Sequence, residues 1–166
     1  MAVEVVRFVD GHLEQVRNLV LHIQQNEFSL PLSLENQDDL QNPIDFYRKG
    51  IGEFWVALSG KEVVGTIGLM DIGNRQVILR KMFVKQSFRG KATGIAQALL
   101  DTFIDHASGK GARQVYLGTT AQFLAAHRFY EKNGFVLVDE ASLPNDFPHM
   151  AVHARRYMRE LGPYHR

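Results

Sequence analysis

With 166 residues, 45% of them hydrophobic, the chain has the size of one domain and enough apolar material for a core, burying roughly 70% of its unfolded surface. A net charge of +1 gives no overall field for nucleic acid or an anionic membrane, and the absence of cysteine excludes disulfides, thiolate metal sites and a cysteine nucleophile. The N-terminal run MAVEVVRFVDGH is too acidic for a signal peptide and no apolar run reaches the length of a membrane span, so a cytoplasmic protein without membrane or nucleic-acid partners is expected.

Val3 to Val9 predicts a first strand. Asp10 would cap a helix running to about Gln25, because Leu13, Val16, Val20 and Ile23 recur at helical spacing. Residues 28–37 read as a loop with scattered apolar side chains, and Pro43 to about Lys49 as a short helix capped by Asn42. Glu53 to Leu58, Glu62 to Met70 and Gln76 to Val84 are strand-like runs joined by turns at Ser59-Gly60 and Gly73-Asn74, which predicts an antiparallel meander. A helix from about Thr93 to Ala107 carries Ile95, Leu99 and Phe103 on one stripe. After a short strand from Gln114 to Leu117, Thr119 and Gln122 fit a capping box opening a second helix that Gly134 stops. Phe135 to Val138 and His149 to Met158 predict the last strands, with a loop between them. Residues 1–166 thus read as a single domain of mixed α/β class, a strand meander followed by α-β-α-β-β.

Between the third meander strand and the long helix runs Val84-Lys85-Gln86-Ser87-Phe88-Arg89-Gly90-Lys91-Ala92-Thr93-Gly94-Ile95-Ala96. Glycines let a backbone come close to a ligand, and a loop feeding a helix start presents unpaired N–H groups and the positive end of the dipole. Arg89 and Lys91 add positive charge, so the loop suits a phosphate-bearing ligand. A tight strand-to-helix connection explains the same glycines equally well. Neither a Walker-type Gly-Lys-Ser/Thr nor a GxGxxG pattern is present.

Two segments taken together are more specific. Leu79-Arg80-Lys81-Met82-Phe83-Val84 with Phe88-Arg89-Gly90-Lys91 and Gly94-Ile95-Ala96-Gln97-Ala98-Leu99-Leu100 resembles the acyl-CoA loop of the GNAT acyltransferase superfamily. Ala126-His127-Arg128-Phe129-Tyr130-Glu131-Lys132-Asn133-Gly134-Phe135 resembles that family's later helix, and the order of elements matches along almost the whole chain. The resemblance implies the GNAT fold, a mostly antiparallel sheet splayed at the acyl-CoA site and flanked by helices. It also implies an acetyl-CoA-dependent N-acetyltransferase acting directly on a primary amine of a small molecule or peptide. The pantetheine arm would pair with backbone of Met82, Phe83 and Val84, and the pyrophosphate would sit on N–H groups from Arg89 through Gly90, Lys91, Thr93, Gly94 and Ile95 to Ala96. Tyr130 would protonate the leaving thiolate, a task suited to a hydroxyl that is neutral and donating at pH 7.

The chain departs from the family pattern at three points. The loop carries two extra residues, Ala92-Thr93; Phe123 stands where many members have an asparagine contacting the cofactor; and Ile78 occupies the likeliest place of a strand glutamate. Fading of transfer activity into an acyl-CoA sensor or interaction module is therefore the alternative. His127, one turn before Tyr130, is a candidate relay or a packing residue. Arg128 and Lys132 would reach the adenosine phosphates or form a solvated face. Asp71, Glu53 and Glu62 are candidate bases or solvated strand-end charges, and Glu27, Glu35, Asp38, Asp39 and Asp45 have spacings that solvation explains. Phe28, Leu30, Leu32, Phe46, Tyr47 and Trp55 would line an acceptor pocket or pack in the core. His106, His149 and His153 have no metal-ligand spacing, so no catalytic metal is expected. A homodimer would pair the C-terminal strand with its copy.

Overall fold

The computed structural model describes residues 3–120, 123–147 and 155–162. Seven strands form one sheet: β1 (Val3–Arg7), β2 (Glu53–Ser59), β3 (Glu62–Asp71), β4 (Gln76–Val84), β5 (Gln114–Thr119), β6 (Val136–Leu137) and β7 (Arg155–Glu160), in the order β1-β2-β3-β4-β5-β7-β6. Every pairing is antiparallel except that of β4 with β5. Among the described residues five α-helices flank it: α1 (Leu13–His22), α2 (Asp38–Gln41), α3 (Pro43–Tyr47), α4 (Ile95–Gly109) and α5 (Leu124–Lys132). No helix among the described residues is long and apolar enough to cross a membrane.

Alternating side chains of the meander divide between two cores, as a period of two requires. Trp55, Ala57 and Val64 pack with Leu99 and Phe103 of α4 and Tyr130 of α5. Phe54, Val56 and Val63 pack with Val16 and Val20 of α1, Leu40 of α2 and Tyr47 of α3. Trp55, expected as a pocket candidate, therefore belongs to the α4 core, against Phe103 and His106.

The meander, the strand Gln76–Val84 and the cap of α3 follow the sequence closely; the Asn42 Oδ1 accepts from the Asp45 N–H at 3.2 Å. Other boundaries differ. Asp10 does not cap α1: it opens a 3₁₀ turn, Asp10–His12, and α1 starts at Leu13 and runs into a π turn, Ile23–Glu27. Thr119 does not cap α5 either. It is the last residue of β5, and Phe123 takes the cap position. The other half of that expected box, Gln122, lies outside the described residues, as do His149, His153 and the start of the expected last strand. β7 lies between β5 and β6, so the C-terminal strand is not the sheet edge that the expected dimer pairing needs.

Gly134 takes φ +86° after α5, a backbone that suits a helix stop only without a Cβ. Gly68 serves packing instead: a Cβ there would stand 2.6 Å from the Tyr47 ring.

Candidate active site

Two irregularities of β4 shape the site. The first is its parting from β5. The strands pair only from Gln76 to Ile78, against Gln114 to Tyr116. Beyond them, among the described residues, Met82, Phe83 and Val84 have β3 on one side and no strand on the other. An unpaired strand side is a row of N–H and C=O groups ready for an extended, amide-bearing ligand.

The second is a bulge. Between the pairs Thr66↔Phe83 and Gly68↔Arg80, β3 has Ile67 alone while β4 has both Lys81 and Met82. Lys81 takes φ +52°, and the Thr66 hydroxyl donates to the Lys81 carbonyl at 2.7 Å, fixing the distortion. Neighbours on a regular strand point to opposite faces. Here Arg80 and Lys81 both reach Asp39 of α2: Lys81 Nζ is 3.2 Å and Arg80 Nη2 3.6 Å from the same Oδ2, which also accepts the Tyr47 hydroxyl at 2.6 Å. Asp39 is 1% exposed, so the expectation of a solvated carboxylate fails for it. Burial pushes its carboxyl up, but Lys81, Arg80 and the hydrogen bonds from Tyr47 and Lys81 outweigh that and hold it below the ordinary value. Burial drives Tyr47 far above the usual phenol range, with Asp39 adding to it, so Tyr47 stays a donor. Burial also depresses Lys81, against the pull of Asp39.

The loop after β4 folds on itself. Gln86–Phe88 makes a 3₁₀ turn, and the Thr93 hydroxyl donates toward the carbonyls of Phe88 at 2.7 Å and Gly90 at 2.9 Å. Ala92-Thr93 thus lies in an internally bonded turn. Gly94 follows at φ +67°, and the first bond of α4 runs from the Ala98 N–H to the Gly94 carbonyl. The N–H groups of Ile95 and Ala96 precede it and have no partner within the helix. Ile95 itself is buried in the α4 core.

Arg89 is committed elsewhere. Its Nη1 and Nη2 bridge Glu27 at 2.8 and 3.0 Å, and its Nε donates to the Val84 carbonyl at 2.8 Å. Lys91, Arg128 and Lys132 gather instead. Contact with the Lys91 side chain, then its charge, lowers the Lys132 ammonium, slight desolvation and Arg128 adding to it. Among the described residues no carboxylate forms an ion pair with these three.

Tyr130 is 5% exposed, its ring among Phe129, Phe135 and Tyr157. Tyr157 sits opposite Leu117 of β5, which places Tyr130 on the β5 side of the parting. Burial pushes its phenol well above the ordinary range. His127 is 4% exposed, with Nε2 2.8 Å from the Thr120 carbonyl; a carbonyl only accepts, so Nε2 carries the proton. Phe123 meets Phe28 edge-on at 4.4 Å and Phe83 at 6.2 Å, spanning from the π-turn end to β4.

The three border carboxylates each have partners. Glu53 is 4% exposed rather than solvated, bonded by Arg7 Nε at 2.7 Å and Arg48 Nε at 2.6 Å. Burial raises its carboxyl, but hydrogen bonds from Arg48, the Phe54 N–H and Arg7 bring it below the ordinary value. Asp71 accepts from the Ile51 and Gly73 N–H groups, and Glu62 pairs with Lys85. Sequence reasoning missed the Asp39–Arg80–Lys81 cluster. Adjacent basic residues on a predicted strand were its one available signal; the bulge that brings them together left none. Among the described residues no group of three or more His, Asp or Glu is placed to hold a metal ion.

Comparisons with known proteins agree with this geometry. N-acetylaspartate synthetase of Danio rerio is 41% identical over 97 residues, which make up 57% of this chain but only 34% of that protein. A GNAT-family acetyltransferase from Staphylococcus aureus Mu50 has a crystal structure that matches with a TM-score of 0.92 at 33% identity, over 97% of this chain and 100% of that one. N-acetylglutamate synthase from Neisseria gonorrhoeae, complexed with coenzyme A and N-acetyl-glutamate, shares the fold with a TM-score of 0.76 at 18% identity, over 98% of this chain and 36% of that one. The sequence profile of the acetyltransferase (GNAT) family matches residues 17–135, more than half of the chain, which belongs to that family.

Proposed function

We propose that the chain is an acetyl-CoA-dependent N-acetyltransferase that passes the acetyl group directly to a primary amine. The parting of β4 from β5 carries this reading. It leaves the backbone of Met82, Phe83 and Val84 open to an amide-bearing arm on the side where Tyr130 lies. The loop suits the phosphate end: nothing lies within 4 Å of where a Cβ of Gly90 or Gly94 would stand, and Lys91, Arg128 and Lys132 supply positive charge there.

Acetyl-CoA supplies the activated thioester carbonyl. The chain's part is to orient the reactants and to hold and move protons. A free alkylammonium cannot attack, so a proton must leave the amine first. Tyr130, kept neutral by burial, gives its hydroxyl proton to the departing sulfur. The Nδ1 of His127 is the ring's accepting nitrogen and can relay a proton on the same helix face.

The test is thiol release from acetyl-CoA on addition of primary amines, with Tyr130→Phe beside the wild type. We expect kcat to fall about 100-fold at unchanged acetyl-CoA affinity. Unchanged turnover removes Tyr130 from the chemistry. Acetyl-CoA binding without transfer to any amine leaves an acyl-CoA-binding module instead.

A further inference from the structure

The cluster at the β4 bulge is unbalanced. Two cations, Arg80 and Lys81, share the single carboxylate oxygen Oδ2 of Asp39, already occupied by Tyr47. Lys81 stands within hydrogen-bond distance of that oxygen; Arg80, at 3.6 Å, does not. The Arg80 Nε is buried without a partner, as is the Asp39 Oδ1. A guanidinium is a planar fork built to grip a carboxylate with two parallel bonds, and this one has only the single 3.6 Å approach to Asp39, with its Nε left without a partner.

Arg80 is also held in place and reachable. Its guanidinium lies over the Phe46 ring, 5.2 Å from the centroid, and a quarter of its side chain is exposed. It lines a cavity of about 320 Å³ together with Asn36, Asp38, Asp39, Phe46 and Met70. That volume lies in the range of small-ligand sites, and a charge fixed beside an aromatic ring is one way such sites orient a ligand. Asp38 lines the cavity too, but it is exposed and water screens it, whereas the Oδ2 of Asp39 is taken by Tyr47 and Lys81. The charge left over inside is positive. The cavity is only two residues along β4 from Met82, where the acyl arm is proposed to pair.

We infer that Arg80 binds a carboxylate of the acceptor, so that the amine acetylated is a small carboxylate-bearing one, with Phe46 and the Asp39–Lys81–Tyr47 network fixing the guanidinium. This assignment of the cavity to the acceptor rests on the acetyl-transfer reading; its test does not use transfer.

The test is calorimetric titration of the full chain, with coenzyme A present, with succinate and with succinamide, which has the same shape but no charge. We expect succinate to bind at least about ten-fold more tightly than succinamide, and Arg80→Gln to remove that preference while Arg80→Lys keeps part of it. Coenzyme A affinity reports that each variant is folded. Equal binding of the two probes, failure of succinate to bind at millimolar concentration, or succinate binding by Arg80→Gln equal to wild type overturns the inference. If Arg80→Gln does not fold, the wild-type preference between the probes decides alone. Failure of the acetyl-transfer reading shows separately, as absent thiol release with every amine.

Discussion

The positive charge at the β4 bulge and that at the mouth of the loop lie on either side of Met82–Val84, and they are built in opposite ways. At the bulge, Arg80 and Lys81 are withdrawn from water and set against a carboxylate that is 1% exposed, with Tyr47 and Phe46 holding the geometry. At the mouth, Lys91, Arg128 and Lys132 are exposed on a loop and a helix end. Charge held dry is strong, directional and demanding of partners; charge held wet is weak, screened and tolerant of loss. The first kind suits choosing one ligand by shape and charge. The second suits drawing in and steadying a phosphate.

The largest effect that tests this contrast comes from removing the dry carboxylate. Asp39→Ala strands two largely buried cations and the Tyr47 hydroxyl, and breaking a buried pair costs about 3–5 kcal/mol, read as a lower urea midpoint. A loss like that of an exposed charge would mean that the cluster is wet. The pH dependence has a fixed sign. The Asp39 carboxyl is held below its ordinary 3.8, so the stability it contributes is complete above that pH and is lost as pH falls through the folded value. Wild type should therefore lose this contribution in acid unfolding, and Asp39→Asn, lacking it from the start, should show a shallower loss.

A smaller effect reaches the same cluster through packing. A Cβ on Gly68 would stand 2.6 and 2.7 Å from ring atoms of Tyr47, a fully buried side chain. Gly68→Ala must displace the ring whose hydroxyl holds Asp39, with an overpacking cost of about 1–3 kcal/mol. Thermal unfolding measures it. An unchanged midpoint would mean that Tyr47 shifts freely and does not fix the cluster.

These two regions also differ in how far the sequence disclosed them. The meander was legible because hydrophobic alternation and Gly-bearing turns are local signals, and so was the stop at Gly134. A resemblance carried by contiguous residues singled out the loop and Tyr130 as candidates. The bulge was not legible. It depends on Lys81 adopting φ +52° and on the Thr66 hydroxyl 15 residues away, and no local pattern encodes that. Asp39 looked like one of several scattered acids because its burial is set by contact with β4, 41 residues on. Glu53 misled for the same reason: its partners Arg7 and Arg48 come from β1 and from the end of α3. The start of α5 was misplaced because tertiary contacts settle where a helix is capped.

The smallest expected effects lie at the wet end. Lys91→Ala, Arg128→Ala and Lys132→Ala each remove a charge that no carboxylate among the described residues pairs with. None should move the unfolding midpoint, because exposed charges of this kind contribute little to stability. Each should weaken acetyl-CoA binding by a few-fold at low salt, and the difference should shrink as added salt shortens the reach of the field. The Lys91 charge also raises the cost of charging Lys132. Losing both should therefore cost less affinity than the product of the single losses, provided that they serve the same phosphate. Arg89 is the internal contrast. Its fork is closed on Glu27, and its Nε holds the Val84 carbonyl. Arg89→Ala should thus loosen the π-turn end from the loop, lowering affinity with a weak salt dependence. A steep salt dependence for Arg89→Ala, equal to that of Lys91→Ala, would show that Arg89 leaves Glu27 to meet the phosphate, and the division between held and free-standing cations would then shift by one residue.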